Sequence, residues 1–125
     1  MTLEANFTVV VLYRTLALYD RALENPFNDW TREHWAQGFS WRPGSVSFLT
    51  LEEAGELAVD LLVGSDRPAR DDAVRVIQVP FSVGRSELVE ITSIDRGQLV
   101  GVPEGEYLAR YETRWGAHNE MWCRP

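Results

Sequence analysis

Lysine is absent from this 125-residue chain, and all twelve of its basic residues are arginine. That absence removes any amine for Schiff-base chemistry or for a point-charge phosphate anchor. Base composition of the coding sequence is the simplest reason for it. Cysteine occurs once, as Cys123, so no internal disulfide can form and a reducing compartment is the expected setting. Histidine occurs twice, as His34 and His118, far apart in the chain. The longest apolar run, residues 7–13, is about a third of a membrane-spanning length. With no basic, apolar leader at the start either, the cytoplasm is the expected location, with no membrane contact.

Catalytic patterns are missing as well. The sequence holds no G-x-S-x-G, no P-loop, no G-x-G-x-x-G and no H-E-x-x-H. A nucleophile–base pair of Cys123 and His118 is conceivable, but a strand thiol and a loop imidazole explain both residues more simply. A zinc site built from Glu33, His34, His118 and Cys123 lacks ligand spacing. No metal, cofactor or catalytic residue is therefore expected, and the protein is not expected to be an enzyme.

What the chain does have is acid and aromatic surface. Nineteen acidic residues give a net charge of −7 and a pI near 4.8. Such a surface repels nucleic acid and favours encounter with a basic partner, although solubility alone also accounts for it. Acidic residues cluster at Glu52, Glu53 and Glu56. Phe27, Trp30, Trp35, Phe39 and Trp41 crowd one short stretch. They either staple a helix onto a sheet or stand exposed as binding anchors.

The hydrophobic pattern reads as one domain over residues 1–125 with period-two alternation. Strands are expected at residues 45–49, 56–63, 73–83, 88–94, 98–102, 106–115 and 120–123. Residues 7–19 also read as strand, too long to be unbroken, so a bulge or break is expected near Arg14. A helix over residues 16–23 competes there. Pro80 should mark an edge, a bulge or a strand end, because it cannot donate to a ladder. One short helix, Arg32–Gln37, has Thr31 or Asp29 as N-cap and Gly38 at the C-terminal cap position. The expected fold is mainly β: an antiparallel β-sandwich of seven or eight strands with one short peripheral helix.

Asp29-Trp30-Thr31-Arg32-Glu33-His34, then Gly38-Phe39 and Gly44-Ser45-Val46-Ser47-Phe48, resemble the first half of the competence protein J (ComJ) family. Val79-Pro80-Phe81-Ser82-Val83, Ile91-Thr92-Ser93-Ile94 and Val102-Pro103-Glu104-Gly105-Glu106-Tyr107 resemble its second half in order and approximate spacing. The likeness covers residues 7–115 and leaves 116–125 outside it. It implies a protein partner, a DNA nuclease linked to competence, which the chain would inhibit. An acidic surface would occupy the nuclease's basic groove as a phosphate mimic. Asp29, Trp30, Glu33, Glu52, Glu53 and Glu56 are the expected contact residues. The alternatives are a C2-like sandwich binding a small ligand, sugar or metal, and an enzyme of unrecognised type.

Overall fold

The structure, a computed structural model, describes residues 3–64, 68–93 and 97–124. Its elements in chain order are β1 (Leu3–Val11), β2 (Thr15–Asp20), α1 (Arg32–Gln37), β3 (Phe39–Arg42), β4 (Ser45–Leu49), β5 (Gly55–Val63), β6 (Arg75–Val83), β7 (Leu88–Thr92), β8 (Gln98–Gly101), β9 (Gly105–Arg114) and β10 (His118–Arg124). The first sheet runs β1-β5-β10-β9-β6 and the second β3-β4-β2-β7-β8. They pack face to face as a sandwich.

Alternation decides which side chains lie between the sheets. Leu57, Val59 and Leu61 of β5 are buried, while Glu56 and Ala58 are exposed. In β6, Ile77, Val79, Phe81 and Val83 enter the core and Val76, Gln78 and Pro80 face out. Phe48 of the second sheet stacks on Tyr111 of the first, with ring centroids 4.5 Å apart. The Tyr111 hydroxyl donates to the Asn119 side-chain carbonyl within that buried layer.

The mainly β sandwich with one short helix matches expectation, and among the described residues the strand count rises to ten. The long segment expected over residues 7–19 breaks at Tyr13–Arg14 into β1 and β2, and the competing helix over 16–23 does not form. Both faces of β2 are buried, so its residues show no amphipathic stripe that a helix would need. β3 is the other addition; four residues are too few to carry a period. One pairing departs from the antiparallel expectation, since β10 runs parallel to β5. The strand expected to reach Trp115 ends at Arg114, and Trp115 lies exposed in the following turn.

Helix α1 forms where its caps place it. The Thr31 hydroxyl accepts from the His34 N–H, the His34 ring returns a bond to the Thr31 N–H, and Gly38 closes the end at φ 89°. Pro80 lies in the edge strand β6, where its missing donor costs no ladder bond. The Trp41 indole donates to the Pro80 carbonyl at 2.5 Å, tying the edges of the two sheets together. The turn expected at residues 95–97 falls mostly on positions outside the described residues, as does Ile94.

Residues 21–31 cross the outer face of the second sheet as a strap. Asn28 fastens it by donating to the Ser40 carbonyl at 3.2 Å and to the Ser45 hydroxyl at 3.2 Å. The Arg42 guanidinium donates to the Asn28 side-chain oxygen Oδ1 at 3.0 Å. At the strap's start, Asp20 accepts from the Ala22 N–H (2.9 Å), the Gly84 N–H (2.7 Å) and the Ser86 hydroxyl (2.8 Å). Burial pushes the Asp20 carboxyl up, but these three donors outweigh it and hold the group below its ordinary value.

Candidate partner-binding surface

One end of the sandwich gathers the β1–β2 turn, the C-terminus of β4, the start of β5 and the β9–β10 turn. Strand register puts them together: Val11 pairs with Gly55, and His118 pairs with both Ala58 and Arg114. The Arg14 N–H donates to the Glu53 carbonyl at 3.0 Å, and the Thr50 N–H to the Arg14 carbonyl at 2.8 Å. The helix reaches the same end, because the Leu49 N–H bonds the carbonyl of its capping Gly38 at 2.9 Å.

Tyr13, Arg14, Trp35 and Glu53 line an open groove of about 200 Å³ at this end. Tyr13 is 74% exposed and Trp35 53%. Trp30 backs Trp35, with ring centroids 5.8 Å apart. The Arg14 guanidinium donates to the Leu51 carbonyl at 3.3 Å and lies 3.9 Å from the Glu53 carboxylate. Two strands away, Trp115 is a third aromatic on this end, 70% exposed. Tyr13 and Arg14 both hold left-handed backbone, at φ 57° and 59°, in a two-residue turn whose ends bridge Leu12 to Thr15. Such a conformation favours Gly and Asn, so each of these two bulky residues is strained.

The six residues singled out from sequence divide on inspection. Glu53 lines the groove and Glu56 stands exposed beside it at the start of β5. Glu52 is half-buried, with carboxylate oxygen Oε1 out of solvent, so it is poorly displayed. Trp30 is half-buried between Trp35 and His34. Glu33 is exposed on α1, where its own N–H and the Thr31 hydroxyl hold its carboxyl below the usual range. It sits two positions from Trp35, about 200° around the helix, so it faces away from the groove. Asp29 is exposed, and its carbonyl is engaged by the Ser40 hydroxyl at 2.8 Å. Tyr13, Arg14, Trp35 and Trp115 were not singled out as contacts. A Tyr-Arg pair at a strand break was the only sequence signal for the first two.

The outer face of the first sheet carries a second group. Asp60, Glu120 and Glu112 lie side by side on β5, β10 and β9. Glu112 and Glu120 are buried although they point outward, because the segment around Arg70 crosses them. The Arg70 N–H donates to Glu112 at 2.9 Å, Arg110 pairs with Glu112 at 2.9 Å, and Arg70 and Arg114 each lie 3.8 Å from Glu120. His118 Nε2 meets Asp60 Oδ2 at 2.8 Å, and Asn6 donates to Asp60 Oδ1 at 2.6 Å. Burial pushes the Asp60 carboxyl up, while Asn6, His118 and Arg114 together bring it below its ordinary value.

Among the described residues, Asp60, His118 and Glu120 could also hold a metal, with one ligand atom from each lying within 4.8 Å of the others. The set considered from sequence does not assemble in this way. Cys123 points into the core and His118 outward from the same strand, so the two never meet. Burial pushes the Cys123 thiol up to about 12, which leaves it neutral and unreactive.

Fold and surface together define a small two-sheet β-sandwich that carries exposed aromatic and acidic side chains on the loops of one end. The sequence profile of the competence protein J (ComJ) family matches residues 8–124, and the chain belongs to that family. The match runs through residues 116–124, which the recognisable segments had left out. Those residues include the whole of β10, seated in the middle of the first sheet. Among solved structures, ComJ from Bacillus subtilis, described as an inhibitor of the DNA-degrading activity of NucA, superposes with a TM-score of 0.87. Its sequence identity is 16%, over 99% of this chain and 98% of that one. The product of crocagin biosynthetic gene J superposes with a TM-score of 0.74 at 14% identity, over 100% of this chain and 98% of that one. No curated protein matches the sequence.

Proposed function

We propose that this protein is a non-catalytic, stoichiometric inhibitor of a DNA nuclease, acting in the cytoplasm. The observation that carries the reading is membership of the ComJ family over nearly the whole chain, joined to the likeness with an inhibitor of NucA. We place the contact surface at the end bearing Tyr13, Trp35, Glu53, Glu56 and Trp115, with Trp30 supporting Trp35 from behind. A nuclease must bind a polyanion, so its substrate groove is electropositive. Glu53 and Glu56 can meet guanidinium groups of such a groove with charge-assisted hydrogen bonds. Tyr13, Trp35 and Trp115 supply rigid apolar area, the usual source of affinity at the centre of an interface. Asp29, Glu33 and Glu52 remain peripheral contributors to the attractive field.

The test is capture from the source organism's lysate with the purified chain, followed by a DNA-cleavage assay on what is captured. Recovery of a nuclease whose activity falls to zero near equimolar inhibitor supports the reading. Repeated recovery of no nuclease sinks it.

A further inference from the structure

We propose that Asp60, His118 and Glu120 form a binding site for one divalent transition-metal cation, Zn²⁺ before others, on the outer face of the first sheet. The three residues are set by the sheet itself. Glu120 lies directly across from Asp60 in the parallel β5–β10 register, and His118 is two residues before Glu120 on the same face. One ligand atom from each already lies within 4.8 Å of the other two, and the closest pair, His118 Nε2 and Asp60 Oδ2, is 2.8 Å apart. A zinc ion at about 2.0–2.2 Å from each donor needs them roughly 3.3–3.6 Å apart. Seating the ion requires side-chain rotations that bring the donors to that spacing.

Two further features favour a cation there. The Asn6 amide holds Asp60 Oδ1 at 2.6 Å, which fixes the carboxylate and aims Oδ2 at the imidazole. Outer partners of this kind orient metal-binding carboxylates in established sites. Beside His118 and Glu120 lies a recess of about 10 Å³, also bordered by Glu112 and Arg114. That is about the space one water needs, and so it can seat the fourth, solvent ligand of a tetrahedral ion.

One imidazole nitrogen and two carboxylate oxygens suit zinc or its neighbours better than Ca²⁺ or Mg²⁺, which require more oxygen ligands. Arg70 and Arg114 stand 3.8 Å from Glu120 Oε2, beyond hydrogen-bond distance, and Arg70 is nearly half exposed.

The experiment uses the full chain, stripped with chelator and titrated calorimetrically with Zn²⁺, Mg²⁺ and Ca²⁺. Co²⁺ serves as a visible reporter of tetrahedral coordination. We expect one Zn²⁺ per chain, a raised melting temperature with Zn²⁺, a tetrahedral Co²⁺ spectrum, and no comparable response to Mg²⁺ or Ca²⁺. His118→Ala and Asp60→Asn should each weaken Zn²⁺ binding by roughly tenfold or more. His34→Ala removes the other histidine and should leave Zn²⁺ binding unchanged. Circular dichroism verifies that each variant is folded, with His118→Gln as a second choice at that position. Absence of Zn²⁺ binding by the unmodified chain overturns the proposal. So does equal binding by folded His118→Ala or His118→Gln, or loss of binding in His34→Ala.

Discussion

Replacing the β1–β2 turn by Asn-Gly, as Tyr13→Asn with Arg14→Gly, should stabilise the fold and weaken the partner complex together. Both residues sit in left-handed backbone, at φ 57° and 59°. That conformation costs an L-residue with a β-carbon about 1–2 kcal/mol, and Asn-Gly is the pair that best tolerates it in a two-residue hairpin. Against a relief of about 2–3 kcal/mol stand two losses. The Arg14 contacts with the Leu51 carbonyl at 3.3 Å and Glu53 at 3.9 Å are solvent-exposed and contribute about 1 kcal/mol at most. The added glycine increases the freedom of the unfolded chain by up to about 1 kcal/mol. With both losses at their full size the net is a gain of about 0–1 kcal/mol, or up to about 5 °C in melting temperature. Tyr13, if it anchors the interface, contributes about 2 kcal/mol to binding, so affinity should fall about 30-fold. Urea melts give the first quantity, and surface-immobilised binding to the captured nuclease gives the second. A variant less stable than the parent by 1 kcal/mol or more refutes the strain argument. Unchanged affinity in a folded variant removes this end from the interface.

Other outcomes follow from single groups. Serine at Glu53 and Glu56 together should slow association with the nuclease and flatten its salt dependence, with dissociation little changed; stopped-flow rates at several ionic strengths decide it. Asp20→Ala leaves the Ala22 and Gly84 N–H groups without their acceptor and should cost about 3–4 kcal/mol in a urea melt. Because the folded Asp20 pKa lies below its unfolded value, its contribution is full above about pH 4 and lost as pH falls through the folded pKa. Asp20→Asn should therefore show a smaller loss of stability on acidification than the parent, measured between pH 6 and pH 3, spanning about one unit below the free Asp value. Tyr111→Phe strands the Asn119 carbonyl in the core and should cost about 1–3 kcal/mol while the Phe48 stacking survives.

Local features of the fold were legible where local chemistry determines them. Thr31 and Gly38 mark both ends of α1, and alternation in residues 56–63 and 73–83 marks both the strands and their core faces. Pro80 announced an edge, a bulge or a strand end, and the first of these is what β6 shows. What sequence could not supply was partnership at long separation. Asp60 and Glu120 are neighbours only because β10 returns, parallel, beside a strand some 60 residues earlier. Each residue alone reads as an ordinary exposed acid on an alternating strand. The aromatic surface was ambiguous for a related reason. Trp30, Trp35 and Trp41 share a segment and a residue type, yet Trp41 spends its indole donor on Pro80 and Trp30 lies behind Trp35. Only the placement of α1 against the Tyr13 turn separates an anchor from a support.

The central position of β10 has a consequence for how the molecule comes into being. β5 and β9 are made earlier in synthesis, and each is left with an unpaired inner edge until residues 118–124 slide between them. A nascent or truncated chain lacking that segment presents two apolar strand edges to its surroundings, a form open to proteolysis and self-association. The first sheet closes only after its last strand has been made, so quality control of this protein is written into the order of its strands.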